Sequence, residues 1–141
     1  MSNSINIGGK VYDFNTPLVM GIINVTQDSF YNNSRYQTAH EIKTRLSDIV
    51  TQGGHFFDIG ATSSKPGNAL SIPAEEKKRL EPAIALAREL FPQIPISIDT
   101  YWSEVAQWAI EKFSVEIIND ISAGNIDEKM PELVAESNVC Y

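Results

Sequence analysis

The sequence of 141 residues lacks several features that mark whole classes of protein. It has one cysteine, Cys140, so neither an intramolecular disulfide nor a cysteine zinc cluster can form, and we expect a cytoplasmic protein. No apolar run approaches the roughly 18 residues that a membrane span needs. The net charge is −7 and lysine and arginine do not cluster, so we expect no binding to nucleic acid or anionic membranes.

Common cofactor and metal signatures are missing as well. The chain has no P-loop, no Gly-x-Gly-x-x-Gly fingerprint and no His-x-x-x-His spacing. These signatures therefore give no indication of a nucleotide-binding or zinc protein. A ligand that contains phosphate is still allowed, because backbone N–H groups and a bound cation can neutralise its charge locally.

The chain does contain a repeated strand–helix pattern. Residues 5–14 alternate apolar and polar around Gly8 and Gly9, which predicts a hairpin that caps one end of the domain. Four apolar segments then predict strands, the first of them buried on both faces, at residues 18–25, 55–59, 94–99 and 115–120. Residues 138–141 resemble the start of a fifth strand.

Helical patterns separate these strands. A capping box from Thr38 to Glu41 predicts the start of the first helix. Its apolar stripe consists of Ala39, Ile42, Leu46, Ile49 and Val50. A second helix follows Pro73, Ser103 or Thr100 caps a third, and residues 127–137 form a short fourth.

This α/β pattern predicts a parallel sheet, in either a doubly wound fold or a (β/α)8 TIM barrel. A barrel needs eight strand–helix units and typically about 250 residues, so the hairpin and four units here would supply only its first half.

Polar residues recur where the predicted strands end: Asn24, Asp58, Asp99, Asn119 and Asp120. Parallel strands place such residues at one edge of the sheet, where α/β enzymes bind their ligands. A carboxylate there is desolvated unless a ligand, a metal or a cationic side chain pairs with it. For any single one of them, a turn or a helix N-cap is the alternative interpretation.

Four segments resemble the motifs of dihydropteroate synthases. Residues 21–30 (GIINVTQDSF) and 58–67 (DIGATSSKPG) are similar to the family's first two signatures, and 96–100 (ISIDT) and 118–121 (INDI) to its third- and fourth-strand motifs. The motifs occur in family order, and the resemblance covers residues 5–141, the N-terminal half of a pterin-binding TIM barrel.

The resemblance implies a transferase of folate biosynthesis. It would join 6-hydroxymethyl-7,8-dihydropterin pyrophosphate to 4-aminobenzoate, giving dihydropteroate and pyrophosphate, with Mg²⁺ as cofactor and a homodimer when full-length. By the same resemblance, Asp99 and Asn119 are the catalytic residues that hydrogen-bond the pterin. Asn24 would lie at the pyrophosphate and act as the metal ligand.

The resemblance assigns the second substrate to two loops. Phe30 and Pro66 would hold the aminobenzoate ring, with Ser64 and Lys65 beside them at positions where the family usually has threonine and arginine. This region is where sulfonamides act in the family, so sulfonamides are an implied class of ligand. Lys65 keeps the charge of arginine and loses its bidentate geometry.

The family's remaining functional groups belong to strands five to eight, which this sequence does not complete. We therefore expect a fragment of a larger polypeptide, with little or no synthase activity by itself. Two alternatives are a methyltetrahydrofolate-binding methyltransferase domain and a non-catalytic half-barrel that binds a ligand or assembles. The Asn-Val-Thr-x-Asp-Ser-Phe loop argues against the methyltransferase, because that loop serves a pyrophosphate substrate.

Overall fold

The computed structural model describes residues 3–25, 35–62 and 70–141. The strands in these ranges are β1 (Ser4–Ile7), β2 (Lys10–Asp13), β3 (Met20–Asn24), β4 (Phe56–Gly60), β5 (Ile96–Asp99) and β6 (Ile117–Asn119). The helices are α1 (Arg35–Thr51), α2 (Pro73–Leu90), α3 (Ser103–Phe113) and α4 (Met130–Glu136). None of the described helices is long and apolar enough to cross a membrane.

The strands β3, β4, β5 and β6 form one parallel sheet in that order. Each strand therefore lies beside the next strand of the chain, which is the order of a (β/α)8 barrel and not of a doubly wound sheet. Cys140 makes a further parallel bridge to Ile117. The predicted beginning of a fifth strand is thus confirmed.

One face of the sheet is covered by helices and holds the core. Strand residues alternate between the two faces, whereas helix residues three or four apart share one face, and the two periodicities meet in this layer. The strands contribute Ile23, Phe57, Ile59, Ile96, Ile98 and Ile118 to the core, and the helices contribute Ile42, Leu46, Ile49, Leu80, Ile84, Val105 and Ala109.

Helix α1 differs from its prediction at the amino end. It begins at Arg35, three residues before Thr38, so the capping box does not mark its start. Ala39 is exposed, and the predicted apolar stripe becomes buried only from Ile42 onward. A capping box contributes only about 1 kcal/mol, so the flanking sequence can extend a helix beyond it.

Helix α3 is capped by a residue that is distant in the sequence. Neither Ser103 nor Thr100 caps it, contrary to the prediction, because the Thr100 hydroxyl accepts the N–H of Trp102 instead. The N–H of Ser103 donates to Asp127 Oδ2 at 2.8 Å. Asp127 was expected to open the fourth helix, which begins only at Met130. Local spacing could not reveal a cap supplied by another loop.

Strand β3 is not buried on both faces, contrary to the prediction. Ile23 lies in the helix-covered core, whereas Ile22 is 57% exposed and Met20 is also exposed. The exposed pair lies on the sheet face opposite the described helices, at an edge strand of the sheet. Arg45 from α1 covers part of this edge by donating to the Ile22 carbonyl at 3.2 Å.

The hairpin of β1 and β2 caps the amino end of the sheet, as predicted. Its Tyr12 ring packs against Phe56, the first residue of β4, with ring centroids 5.0 Å apart. The turn approaches Glu116 so closely that a Cβ at Gly8 would lie 2.8 Å from Glu116 Cγ. Gly8 also has φ +58°, so both its space and its backbone favour glycine.

Candidate functional site

Polar side chains meet at the carboxyl end of the sheet. The parallel register places four residues in one row across the four strands: Asn24, Gly60, Asp99 and Asn119. These residues lie on the face opposite the helices, because they alternate with the core residues of their strands. Gly60 leaves room for its neighbour, since a Cβ there would lie 3.1 Å from Asp99 Oδ2. The structure therefore brings Asn24, Asp99 and Asn119 to one edge.

Asp58 does not end its strand, contrary to the sequence prediction, because β4 continues to Gly60. It lies one level below the row, beside Ser97, and is 7% exposed. Asn119 reaches back to it, with Asn119 Nδ2 donating to Asp58 Oδ2 at 3.0 Å. Within the described part of the chain, Asp58 Oδ1 and Ser97 Oγ have no hydrogen-bond partner. The two middle residues of the level below the row are therefore polar and incompletely hydrogen-bonded, and they lie between Ile22 and Ile117.

Asp99 is the one ionisable side chain of the row, and its pKa is perturbed. Burial, followed by the charges of Asp58, Glu76 and Asp120, raises the pKa of Asp99 to about 6. None of the ion pairs among the described residues includes Asp99 or Asp58. An unpaired, partly buried carboxylate is suited to a ligand that donates N–H hydrogen bonds or carries positive charge.

Glu76 is a buried acidic residue that the sequence prediction missed. It lies in the first turn of α2, fully buried, and Ser71 Oγ donates to its Oε2 at 2.6 Å. Burial raises the pKa of Glu76, although the hydroxyls of Ser71 and Thr100 and the charge of Arg79 act in the opposite direction. The sequence does contain a signal for this burial, because Glu76 precedes Leu80 by one helical turn on the inner stripe of the helix.

The same network joins the chain before α2 to the loop after β5. The N–H of Ser71 donates to the Tyr101 hydroxyl at 3.0 Å. Trp102 Nε1 donates to the Ser71 carbonyl at 2.9 Å. The side chains of Tyr101 and Trp102 therefore hold the loop after β5 against the chain before α2.

Asp120 lies outside the row, and its carboxylate is already hydrogen-bonded. Its carboxylate accepts the N–H groups of Ser122 and Gly124, each at 2.8 Å, and the hydroxyl of Tyr141 at 2.9 Å. Burial alone would raise the pKa of Asp120, but these hydrogen bonds lower it. The turn interpretation is therefore correct for this residue.

Asn24 is the residue predicted to hold Mg²⁺. It is exposed at the end of β3, and its carboxamide oxygen is a hard ligand of the kind that Mg²⁺ prefers. No group of three or more His, Cys, Asp and Glu side chains in the described ranges could hold a metal. The assignment of Asn24 to Mg²⁺ stays a prediction; such an ion would take its other ligands from waters and from the oxygens of a bound phosphate, which is common for Mg²⁺.

Four predicted site residues lie outside the described residues: Phe30, Ser64, Lys65 and Pro66. They belong to the segments that follow β3 and β4 in the chain. Their assignment to the second substrate stays a prediction.

Comparison with known proteins defines the class. The model of the pterin binding enzyme family matches residues 20–141, which hold all four strands of the parallel sheet and the row at its carboxyl end. The chain therefore belongs to the family of pterin binding enzymes.

Within this class, the chain is similar to dihydropteroate synthases. It is 40% identical over 123 residues to that of Bacillus subtilis (strain 168), covering 86% of this chain and 42% of the relative. The Xanthomonas albilineans dihydropteroate synthase with 4-aminobenzoic acid has a TM-score of 0.81 at 29% identity, covering 96% of this chain and 49% of that chain. The Burkholderia cenocepacia dihydropteroate synthase complexed with 7,8-dihydropteroate gives 0.76 at 28% identity, covering 98% and 44%.

The chain thus spans about half the length of these dihydropteroate synthases. It spans 17–29% of the larger folate and folic acid synthesis proteins that it also matches. Its sequential parallel sheet corresponds to about half of a (β/α)8 barrel. The predicted fold class and the resemblance to dihydropteroate synthases are confirmed.

Proposed function

We propose that this chain carries the pterin-binding part of a dihydropteroate synthase. The reaction would condense 6-hydroxymethyl-7,8-dihydropterin pyrophosphate with 4-aminobenzoate to give dihydropteroate and pyrophosphate. The observation that carries the proposal is the pair of neighbouring polar side chains, Asp99 and Asn119, at the carboxyl end of the sheet of a pterin binding enzyme. The similar proteins with 4-aminobenzoic acid and with 7,8-dihydropteroate support the choice of substrates.

Asp99 and Asn119 would bind the pterin ring. Amino and ring N–H groups need acceptors when they leave water, and a carboxylate and a carboxamide oxygen supply them. Asp99 is mostly ionised at pH 7, since its pKa is about 6, so it can accept two such bonds. Two acceptors in adjacent strands also fix the plane and the direction of the ring.

Asn24 would hold the pyrophosphate end together with Mg²⁺. When bound, Mg²⁺ would supply positive charge that stabilises pyrophosphate as the leaving group. Apart from burial, the pKa of Asp99 is raised by the charges of acidic side chains, Asp58, Glu76 and Asp120. The cation Arg79 lies near this edge, where its Nη1 donates to the Ala61 carbonyl at 3.5 Å, but it is paired with Glu75. We therefore expect a phosphate ligand at this edge to need a further cation such as Mg²⁺.

Phe30, Ser64, Lys65 and Pro66 would bind 4-aminobenzoate, and sulfonamides would compete for that place. We also propose a cytoplasmic location and a homodimer for the full-length protein. Because the chain spans about half of the similar dihydropteroate synthases, we expect it to bind the pterin more readily than it catalyses the condensation.

The test is a calorimetric titration of the protein, as its native host produces it, with the pterin pyrophosphate and Mg²⁺. We expect Asp99→Ala to weaken binding at least about tenfold, because it removes a charged acceptor from the ligand. Asp13→Ala makes the same change of charge on the hairpin at the opposite end of the sheet and should bind normally. Near-normal affinity of the Asp99 variant would remove Asp99 from the pocket.

Two further outcomes separate the alternatives. Preferential binding of methyltetrahydrofolate would favour the methyltransferase domain. No binding of either pterin, from a folded protein, would favour the assembly module. The intact mass of the native product, compared with the 15.7 kDa of this sequence, shows which polypeptide is being tested.

A further inference from the structure

The carboxamide of Asn119 can offer a ligand either of two opposite groups. Its oxygen accepts hydrogen bonds, whereas its NH₂ group donates them, and the two ends have nearly the same shape. Which end faces the ligand therefore decides whether the site selects donors or acceptors. This orientation has to be fixed by a neighbour that accepts only one of the two ends.

Asp58 is such a neighbour. An ionised carboxylate accepts hydrogen bonds and donates none, so only the NH₂ end of Asn119 can face it favourably. The structure shows this arrangement, with Asn119 Nδ2 at 3.0 Å from Asp58 Oδ2. The reverse orientation would place the carboxamide oxygen against the carboxylate. Hydrogen bonds to a charged partner are about twice as strong as neutral ones, so the preference is large.

Burial makes the preference stronger. Asp58 is 7% exposed, and Asn119 Nδ2 is the donor that the described residues provide to it. Its second oxygen, Oδ1, has no partner in the described part of the chain. Loss of this hydrogen bond would leave the buried carboxylate without a donor among the described residues, which is energetically costly. Asn119, by contrast, is exposed, so its remaining end is available to a ligand.

We propose that Asp58 is a positioning residue that turns the carboxamide oxygen of Asn119 toward the ligand. Asn119 and Asp99 then present two acceptors side by side, and the site selects a heterocycle whose edge carries N–H donors. This inference rests on the proposed function and deepens it, because it names the group that sets the specificity for an amino-substituted pterin. Asp58 itself need not touch the substrate.

The test compares two ligands that differ at one group. In 6-hydroxymethylpterin the 2-position carries an amino donor, and in 6-hydroxymethyl-lumazine it carries an oxygen acceptor. We expect the unmodified protein, as its native host produces it, to prefer the pterin at least about tenfold. Asp58→Asn should bring the ratio of the two dissociation constants close to one, because a carboxamide at this position can pair with either end of Asn119.

A reciprocal variant and a control complete the experiment. In the double variant D58N/N119D, the introduced carboxamide can donate to the introduced carboxylate, which still offers an acceptor to the ligand, so the preference for the pterin should return. Asp13→Asn makes the same chemical change on the hairpin and should leave the ratio unchanged. A purely structural role for Asp58 would weaken both ligands equally in D58N, and the reciprocal exchange would not restore the ratio.

An NMR measurement tests the orientation without any ligand. The side-chain NH₂ of Asn119 should exchange slowly with water in the unmodified protein and faster in D58N. A ratio or an exchange rate that D58N leaves unchanged, in a folded protein, overturns the positioning role. No pterin binding by the unmodified protein, together with slow NH₂ exchange, would refute the proposed function and retain the positioning of Asn119.

Discussion

At the amino end of the parallel sheet a partly buried acidic side chain belongs to an ion pair, whereas at the carboxyl end the acidic side chains of Asp58, Glu76 and Asp99 belong to none among the described residues. At the amino end, Arg88 Nη2 donates to Glu116 Oε2 at 2.7 Å, and the same oxygen accepts the N–H of Ile96 at 2.9 Å. Arg88 also donates to the carbonyls of Phe113 and Ser114. One arginine thereby ties the end of α2 to the end of α3 and to the beginning of two strands.

At the carboxyl end, neighbouring acidic side chains raise the cost of ionising Asp99. Asp58 and Glu76 are buried and each has an oxygen without a hydrogen-bond partner among the described residues. Their charges, after burial, raise the pKa of Asp99. The difference between the ends is consistent with the general division in (β/α)8 barrels, in which the amino end of the sheet contributes stability and the carboxyl end carries the binding residues.

The largest expected effect comes from breaking the amino end. Glu116→Ala removes the carboxylate that pairs with Arg88 and accepts the Ile96 N–H. The partly buried guanidinium then keeps only backbone carbonyls as partners, with no counter-charge. We expect the free energy of unfolding to fall by about 2–3 kcal/mol. Urea denaturation followed by circular dichroism measures the change.

An exposed ion pair provides the control for that prediction. Lys112 pairs with Glu81 on the surface of the helices, with about half of each side chain exposed. Glu81→Ala should therefore change the free energy of unfolding by no more than about 0.5 kcal/mol. Equal losses in the two variants would contradict the special role of the amino end.

The next effect is a gain of stability at the carboxyl end. Because the pKa of Asp99 is raised from 3.8 to about 6 in the folded state, the folded protein holds this proton more tightly than the unfolded chain. The stabilisation from this proton is complete below pH 3.8 and is lost as the pH rises through about 6. Asp99→Asn should therefore raise the free energy of unfolding at pH 7, by about 1–2 kcal/mol, and reduce pterin binding.

The same Asp→Asn substitution at Asp127 should change stability in the opposite direction. Although burial acts in the other direction, hydrogen bonds from Ser103 and Lys129 lower the pKa of Asp127. Its contribution to stability is present at neutral pH and is lost as the pH falls, so Asp127→Asn should destabilise the protein at pH 7. Denaturation of the two variants between pH 4 and 8 measures both signs. A destabilised Asp99→Asn protein would show that Asp99 is not a cost to the fold.

The sequence predicts the layers of this fold well because each strand and helix has to bury one periodic set of apolar residues. It fails where burial depends on a distant element. Ile22 belongs to an apolar run, but its exposure depends on what faces the inner side of the sheet. The cap of α3 comes from Asp127, 24 residues after Ser103, and no local pattern encodes that contact.

The predictions for the site succeed and fail for the same reason. The rule that parallel strands end at one edge is enough to bring Asp99 and Asn119 together. The rule does not distinguish Asp120, which its own loop satisfies, from a free carboxylate. It also misplaces Asp58, because the strand continues through Ile59 and Gly60, and a glycine gives no apolar signal that it belongs to a strand.

The smallest expected effect concerns the electrostatic interaction between Glu76, the buried acid of α2, and Asp99 in the row. Glu76→Gln keeps an oxygen that can accept from the Ser71 hydroxyl, and it removes a charge that burial opposes. We expect the melting temperature at pH 7 to rise by a few degrees, which corresponds to about 1 kcal/mol. The charge of Glu76 is also one of the causes that raise the pKa of Asp99, so the substitution should lower that pKa.

The pKa of Asp99 is therefore the sharper measurement, because a repacking effect on stability would not move it. Titration of the Asp99 carboxyl carbon by NMR should show a midpoint at lower pH in Glu76→Gln than in the unmodified protein. Glu75→Gln, one residue earlier in the same helix, changes an exposed carboxylate that is already paired with Arg79, and should leave the midpoint unchanged. An unshifted midpoint in Glu76→Gln would mean that the two acids are independent. Burial, Asp58 and Asp120 would then account for the raised pKa of Asp99 without α2.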